Sequence, residues 1–281
     1  MNIKPAPMKE YKMTNKDSRE WMKDLPIYIM TADQQMCCLP AFCYLFNKFW
    51  SNEVTINVIG YSKPNFNLPS NVNYISMGID RGAEYWSDDM ISFFSNIKDD
   101  LFYLTTEDGF ILKEIDSTLL FNAYAFSKEM TLVNDNFLRF NLTHCVSSRA
   151  HTLVKNIENN NQIIIANKGT DYRHSLQHSL WNRKNFLNIL SNNMTPWQIE
   201  LDETARYSRY DIYAFKGNCP LNVGHGYSKG KKVNNWYHDV WSHMSGFDNL
   251  NNEDIKVIND NNWIPEINVK VLRDSGGKII R

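Results

Sequence analysis

The chain has 281 residues, of which 43% are hydrophobic, so it can bury a sizeable core, and a disordered or fibrous protein is excluded. With 30 basic and 31 acidic residues, the net charge of −1 provides no overall field for nucleic acid or an anionic membrane, and neither is expected as a partner. No transmembrane segment is expected, residues 1–24 are predicted to be a polar leader without the apolar part of a signal peptide, and the odd number of cysteines favours a reducing, cytoplasmic location.

The first part of the chain alternates predicted strands and helices. Apolar and β-favouring runs predict strands at 25–31, 54–61, 72–77 and 101–105, and helical spacing of apolar residues predicts helices at 35–50 and 87–97. Pro40 is unfavourable inside a helix, so the first helix is expected to kink or to begin there. This order of elements predicts an α/β fold with a mixed, mostly parallel central sheet flanked by helices.

The later part of the chain is less regular. Strands are predicted at 137–142, 162–166, 212–215 and 221–223, and helices at 117–128, 175–190 and 195–206. The last helix is expected to begin with Thr195 as its N-cap and Pro196 at its first position. Residues 224–232 form a glycine- and lysine-rich loop, in which two glycines flank His225 and let the backbone approach a ligand closely.

The strand predicted at 101–105 ends in two carboxylates. Its unbroken apolar and β-favouring character predicts a buried central strand, and Glu107, Asp108 and Gly109 follow it closely. Ligands of open α/β sheets bind at the carboxyl ends of the strands, and Mg²⁺ or Mn²⁺ is held by one or two carboxylates together with phosphate oxygens and water. Asp108 is therefore the first candidate metal ligand and Glu107 the second, while an ordinary turn is the alternative interpretation.

The order of these pieces resembles the nucleotide-sugar-dependent glycosyltransferases of the GT-A fold, and family-2-like members in particular. The resemblance covers roughly residues 25–232 and rests on the strand order, on the acidic strand end Thr106-Glu107-Asp108, and on the stretches 181–187 and 196–200. It implies one domain, with a nucleotide-binding half at 25–116 and an acceptor half at 117–232. Residues 233–281 are expected to be a C-terminal extension packed on the same domain.

The resemblance also implies an activity and a set of roles. It implies metal-assisted transfer of a sugar from a nucleoside diphosphate donor to a hydroxyl of a glycan acceptor, with inversion. The implied metal ligands are Asp108, Glu107 and His225, and the implied catalytic residues are Glu200 as general base and Asp171 as a contender. The residues expected to bind the donor are Thr31, Asp33, Tyr61, Arg81, Lys229 and Lys231; those expected to bind the acceptor are Trp181, Arg183 and Trp197.

Several of these residues have a second interpretation. Asp202 and Glu203 compete with Glu200 for the role of base, and the alternative interpretation of Glu200, Glu203 and Arg206 is a solvated helix face with spaced ion pairs. A tryptophan on an apolar stripe is more often part of the core than a platform for a sugar, and strand ends are routinely polar. The pair Cys37-Cys38 with Cys43 lacks the spacing of a metal site.

Two other functions remain open. A sugar-nucleotide nucleotidyltransferase shares the half-Rossmann sheet and the metal acids, but it would carry a glycine-rich loop with Arg or Lys directly after the first strand. Residues 31–35 contain neither glycine nor a basic residue. A catalytically inactive carbohydrate-binding or scaffold protein with the same fold is the third possibility, because a threonine stands where the acidic motif usually has an acid.

Overall fold

The computed structural model describes residues 20–157, 161–228, 231–232 and 250–265. Within these residues the strands are β1 Ile27–Met30, β2 Ile56–Gly60, β3 Val72–Ser76, β4 Leu101–Thr106, β5 Gly109–Ile111, β6 Phe137–Asn141, β7 His151–Asn156, β8 Gln162–Ala166, β9 Ser179–Asn182, β10 Asp211–Lys216, β11 Val223–His225, β12 Tyr227–Ser228 and β13 Lys231–Lys232. The α-helices are α1 Leu39–Phe49, α2 Trp86–Asn96, α3 Ser117–Val133, α4 Arg183–Ile189, α5 Pro196–Leu201, α6 Glu203–Arg206 and α7 Asn252–Asp260.

Nine strands form one central sheet in the order β3-β2-β1-β4-β9-β6-β10-β8-β7. The pairings run parallel from β3 to β4 and again between β6 and β10, whereas β9 and β8 are antiparallel to both of their neighbours. Seven of the nine strands therefore point the same way. The prediction of a mixed, mostly parallel α/β sheet flanked by helices is confirmed.

Helices cover both faces of the sheet. Successive side chains of a strand point to opposite faces, so each strand contributes to both cores. In β1, Ile27 and Ile29 belong to the core under α1 and α3, and Tyr28 and Met30 belong to the core under α2 and α4. A 3₁₀ helix at Asp33–Cys38 leads from β1 into α1, whose first turn contains Pro40. The expected start of the helix at this proline is confirmed.

The helix predicted at 175–190 is wrong in its first half. Ser179–Asn182 is instead a strand that pairs with both β4 and β6, and all four of its side chains are buried. Leu180 and Trp181 face opposite cores, a period-2 arrangement that looked helical in the sequence because other leucines happen to follow at helical intervals. The helix begins only at Arg183, where the side chain of Asn182 accepts a hydrogen bond from the Asn185 amide.

The helix predicted at 195–206 forms as two short helices. Thr195 and Gln198 make a capping box at the start of α5, so the predicted N-cap is confirmed. The backbone of Asp202 is extended, with φ −63° and ψ 151°, and this breaks α5 from α6.

Residues 250–265 pack on the outer side of α1. The carboxylate of Asp254 is buried, and it accepts hydrogen bonds from the hydroxyl of Tyr44, at 2.7 Å, and from the ammonium of Lys48. The ring of Trp263 lies 5.6 Å from that of Tyr44. Within the described part of the chain, no helix is both long and apolar enough to cross a membrane.

Two buried arginines hold the irregular stretch before β9. The guanidinium of Arg139 donates to the carbonyls of Tyr172 and Arg173 and to the Ser179 hydroxyl, and it lies over the Trp181 ring. Arg173 in turn donates to backbone carbonyls within 206–210. These contacts satisfy cations that would be costly to bury without hydrogen-bond partners.

The same stretch carries a buried histidine with an expected effect on acid stability. Burial, reinforced by the charges of Arg139 and Arg173, lowers the pKa of His174 to about 3, and its Nε2 lies 2.8 Å from the Ser208 hydroxyl. The unfolded chain takes up a proton at His174 near the ordinary histidine pKa of about 6.5. Between these two pKa values the unfolded state binds more protons, so the contribution of His174 to stability falls as pH falls.

Acidification from pH 7.5 to pH 5 should therefore lower the free energy of unfolding by on the order of 2 kcal/mol through His174 alone. The measurement is urea unfolding of the wild type and of His174→Gln at both pH values. The variant should lose less stability than the wild type over this interval. Equal losses in the two proteins would show that His174 is protonated in the folded state.

Candidate active site

The strand order places a crevice between the carboxyl ends of β1 and β4. The connection from β1 to β2 passes through α1 on one face of the sheet, and the connection from β3 to β4 passes through α2 on the other. The two connections thus lie on opposite faces of the sheet, and ligands of Rossmann-like sheets bind at such a switch point. Met30 pairs with Thr106, and the amide of Glu107 donates to the Met30 carbonyl at 3.1 Å. The acidic strand end therefore lies in the crevice.

A small second sheet brings His225 to this acidic strand end. β5 and β11 pair antiparallel, with His225 opposite Gly109, and the amide of Gly226 donates to the carbonyl of Asp108 at 3.1 Å. The His225 Nδ1 lies 3.7 Å from Asp108 Oδ2, while the Thr106 hydroxyl donates to Asp108 Oδ1 at 2.7 Å. The side chains of Asp108 and His225 remain 18% and 23% exposed, so a ligand can reach both.

The pKa shifts of this pair indicate a charged arrangement. Burial acts to raise the pKa of Asp108, but the hydrogen bond and charge of His225 and the Thr106 hydroxyl outweigh it, and the pKa is lowered. Burial acts to lower the pKa of His225, but Asp108, with a further contribution from Glu200, raises it overall. Each partner therefore favours the charged form of the other, and a metal ion bound by His225 would take the place of its proton, because imidazole ligates in its neutral form.

Glu107 occupies a different environment from Asp108. Its side chain is 2% exposed, and burial followed by the charge of Asp108 raises its pKa well above the usual range. Hydrogen bonds with Thr31 and the Ala32 backbone, at the end of β1, oppose this shift. Within the described residues its Oε1 has no hydrogen-bond partner. Glu107 thus lies beneath the crevice, against β1.

Glu200 is the predicted general base and belongs to α5. Its Oε1 accepts a hydrogen bond from the Leu176 amide at 2.8 Å. Burial raises the pKa of Glu200, opposed by hydrogen bonds from Leu176 and Ser175 and by the charges of Arg139 and His225. The charges of Glu200 and His225 act on the pKa of one another, so the two side chains lie in the same region of the molecule.

The donor atoms of Asp108 and His225 fit a divalent cation. Carboxylate oxygen and imidazole nitrogen both suit Mn²⁺, which takes its remaining ligands from phosphates and water. No group of three histidine, cysteine or acidic side chains with the geometry of a metal site occurs in the described residues. The described part of the chain thus offers two metal ligands, Asp108 and His225. Glu107 is not counted as a third, because its side chain is only 2% exposed.

The predicted donor-binding residues separate into two groups. Thr31 and Asp33 lie at the end of β1, and Asp33 accepts hydrogen bonds from the amide and hydroxyl of Ser62 at the end of β2. Tyr61 is buried, with its hydroxyl donating to Asp89 at 3.0 Å, so its ring is not available to stack on a base. Arg81 also pairs with Asp89 and lies 4.7 Å over the ring of Tyr85.

Two of the three predicted acceptor-binding residues are corrected by the structure. Trp181 is completely buried in β9 beneath α4, so it cannot contact an acceptor. Arg183 lies at the amino end of β4, the opposite edge of the sheet, where it donates to the Asp99 carbonyl at 3.0 Å and pairs with Asp100. Trp197 is half-buried on α5, close in sequence to Glu200, and stays a candidate.

The remaining predicted residues lie apart from the crevice or outside the description. Asp171 is half-exposed and forms an ion pair with Arg206 at 2.8 Å. Lys229 lies outside the described residues. For Lys231, the backbone belongs to β13, and its side chain lies outside the description.

His178 is a residue at the site that the sequence did not indicate. It is buried directly below Gly109, where an added Cβ would come within 2.8 Å of the His178 Nε2, and its Nδ1 contacts the Tyr103 hydroxyl. Burial lowers the pKa of His178 to about 3, so the ring is neutral. Only a correct strand assignment for 179–182 would have placed it there, since no motif contains it.

The fold and the site define an α/β protein with a Rossmann-like sheet. The carboxyl edge of this sheet carries the pair of Asp108 with His225 and, separately, the buried Glu107. No family model and no curated protein matches the sequence. Among solved structures, the chain is similar to a cytidylyltransferase from Leptospira borgpetersenii serovar Hardjo-bovis, with 12% identity, a TM-score of 0.41 and coverage of 87% of this chain and 98% of that one.

A second similar structure is HddC from Yersinia pseudotuberculosis, with 11% identity, a TM-score of 0.37 and coverage of 72% of this chain and 93% of that one. At this identity and structural overlap, neither likeness carries a functional argument. The function is therefore argued from the geometry of the crevice.

Proposed function

We propose that this chain is a metal-assisted glycosyltransferase that moves a sugar from a nucleoside diphosphate donor to a hydroxyl of a glycan acceptor, with inversion. The observation that carries the proposal is the Asp108-His225 pair at the carboxyl end of β4, 3.7 Å apart, with the buried carboxylate of Glu200 close enough for its charge to act on His225. Such a site has separate groups for the leaving diphosphate and for the attacking hydroxyl.

Asp108 and His225 serve the leaving group in this proposal. Departure of a nucleoside diphosphate builds negative charge on its outer phosphate, and a bound Mn²⁺ or Mg²⁺ would neutralise that charge. The Thr106 hydroxyl holds one oxygen of Asp108, which fixes the direction of the other oxygen toward His225. In this way Thr106 supports the carboxylate although it supplies no acid of its own.

Glu200 serves the acceptor. The Leu176 amide fixes one of its oxygens, and the raised pKa makes the carboxylate a stronger base than an exposed glutamate. A base that is separate from the metal-binding pair suits in-line attack with inversion. Asp202 and Glu203 are exposed, and Asp171 is tied to Arg206, so none of them competes well for this role.

Recognition of the donor and acceptor falls to residues at the rim of the crevice. Thr31 and Asp33 follow β1 and are proposed to contact the nucleoside, and Arg81 is proposed to contact phosphate after releasing Asp89. Lys229 and Lys231 remain predicted donor ligands. Trp197 is proposed to contact the acceptor, since it is close in sequence to Glu200 on α5.

A nucleotidyltransferase is the second candidate, and the similar structure from Leptospira is itself a cytidylyltransferase. Activation of a nucleoside triphosphate would require phosphate-binding groups directly after β1. In this chain the 3₁₀ helix Asp33–Cys38 follows β1, with the sequence DQQMCC, and contains neither glycine nor a basic residue. This observation favours sugar transfer.

The test offers the protein both reactions in the presence of Mn²⁺. One set of mixtures contains nucleoside diphosphate sugars with glycan acceptors, and the other contains nucleoside triphosphates with sugar 1-phosphates. Release of nucleoside diphosphate together with an extended acceptor is expected. Release of pyrophosphate with formation of a sugar nucleotide would establish the second candidate, and binding of glycan without either product would establish the scaffold alternative.

A further inference from the structure

A cavity of about 630 Å³ lies near the end of β1, and the proposed function assigns no ligand to it. It is bounded by the start of α1, by the loop that follows β2, and by the end of the C-terminal segment 250–265. Asp33 lies on its wall, three residues beyond the end of β1, so the cavity adjoins the crevice on the side of β1 and β2.

The C-terminal segment is held firmly enough to form a wall. Asp254 is buried on α1 through Tyr44 and Lys48, and Trp263 packs against Tyr44 while it lines the cavity. The next residue, Ile264, is buried in the core under α1. An added Cβ at Gly226 would lie 3.6 Å from Ile264, so this segment also contacts the chain immediately after His225.

The lining of the cavity suits a planar heteroaromatic ring. Phe66 and Trp263 provide two aromatic side chains. The polar groups around them are the amides of Asn65 and Asn262, the ammonium of Lys63, the hydroxyl of Ser62, and the carboxylate of Asp33, which accepts hydrogen bonds from Ser62. Ligand sites typically combine apolar and aromatic walls with a few polar groups that fix orientation. A nucleobase has this combination, because its faces stack on aromatic rings and its edge both donates and accepts hydrogen bonds.

The buried position of Tyr61 removes the aromatic side chain that the sequence suggested for stacking on a base. We propose that the base of a nucleotide binds in this cavity instead, and that Trp263 of the C-terminal segment is the residue that determines affinity for it. This inference rests on the proposed function for the identity of the nucleotide as the donor. The segment 250–265 thereby completes the donor site from outside the central sheet.

The test measures binding by calorimetry with three probes in the presence of Mn²⁺: a panel of free nucleosides, the matching nucleoside diphosphates, and inorganic pyrophosphate. Trp263→Ala should weaken nucleoside and nucleoside diphosphate affinity between about fivefold and a hundredfold, the range for loss of one base-stacking ring. Trp263→Phe, which retains a ring, should bind much more like the wild type. Pyrophosphate should bind equally to all of them.

A second variant tests the cavity without disturbing the C-terminal segment. Asn65 is exposed on the loop after β2, and Asn65→Trp should fill the cavity and block nucleosides while pyrophosphate binding persists. Tyr207→Ala is the matched control, because Tyr207 is an exposed aromatic residue after α6 that does not line the cavity. Thermal unfolding of each variant verifies that it is folded.

The outcomes separate this inference from the proposed function. Nucleoside binding that is lost in Trp263→Ala and Asn65→Trp supports the inference, even if the transfer assay finds no sugar transfer and so rejects the function. Unchanged nucleoside diphosphate affinity in both variants overturns the inference and leaves the function intact. Failure of every nucleoside and nucleoside diphosphate to bind the wild type overturns the inference as well.

Discussion

Replacement of Asp108 by asparagine is expected to reduce sugar transfer by at least about a hundredfold and to abolish the Mn²⁺ dependence of nucleoside diphosphate binding. The amide keeps the shape of the side chain and its contact with Thr106 but removes the charge that pairs with His225. The several kcal/mol that a cation contributes to a developing phosphate charge are lost with its ligand. Calorimetry with and without Mn²⁺, together with the transfer assay, measures both effects.

Asp100→Asn is the matched control for this prediction. Asp100 precedes the same strand β4 at its amino end, is 78% exposed, and pairs only loosely with Arg183 at 3.4 Å. Its replacement should leave Mn²⁺-dependent binding and transfer unchanged. Equal Mn²⁺ dependence in Asp108→Asn and the wild type would show that the metal site lies elsewhere or that binding does not use a metal.

The first half of the fold follows from local sequence patterns. β1 to β4 are short apolar runs separated by helical or turn-forming stretches, and the position of Pro40 fixes where α1 begins. The acidic end of β4 was recognisable because Glu107 and Asp108 come directly after an unbroken buried strand. Local periodicity suffices when consecutive elements are neighbours in the sheet, as they are here for β1, β2 and β3.

The second half depends on contacts that no local pattern contains. The sequence predicts helix at β9 because its four residues are too few for a clear period, and its strand state is imposed by β4 and β6 on either side. Because of this error, the predicted roles of Trp181 and Arg183 are also wrong. β9 is also an antiparallel strand between two parallel ones, an arrangement fixed by tertiary packing rather than by propensity.

In the candidate site, too, some features follow from the local sequence and others only from tertiary contacts. Asp108 and His225 were both predicted as ligands from their local surroundings, and the pairing of β5 with β11 brings them within 3.7 Å, although their roles remain proposals. The sequence suggested that Thr106 weakens the motif, whereas its hydroxyl holds the Asp108 carboxylate. Glu107 was counted beside Asp108 because the two are adjacent in sequence, but neighbouring residues of an extended chain diverge, and Glu107 lies against β1.

Replacement of Glu200 by glutamine is expected to lower the rate of transfer by a factor of about 10² to 10⁴, the usual contribution of a general base, while donor affinity stays close to that of the wild type. Glutamine retains an oxygen that can accept the hydrogen bond of the Leu176 amide, so the local structure is preserved. Because only the proton acceptor is lost, the defect should appear in the turnover rate and not in calorimetric binding of the nucleoside diphosphate.

The comparison with Asp171→Asn decides between the two carboxylates predicted as the base. Asp171 is half-exposed and pairs with Arg206, so its replacement should leave turnover nearly unchanged. A full rate in Glu200→Gln together with a strong loss in Asp171→Asn would transfer the role to Asp171. A loss of donor binding in Glu200→Gln would instead assign Glu200 to the donor side of the crevice, where it would act through its interaction with His225 rather than on the acceptor hydroxyl.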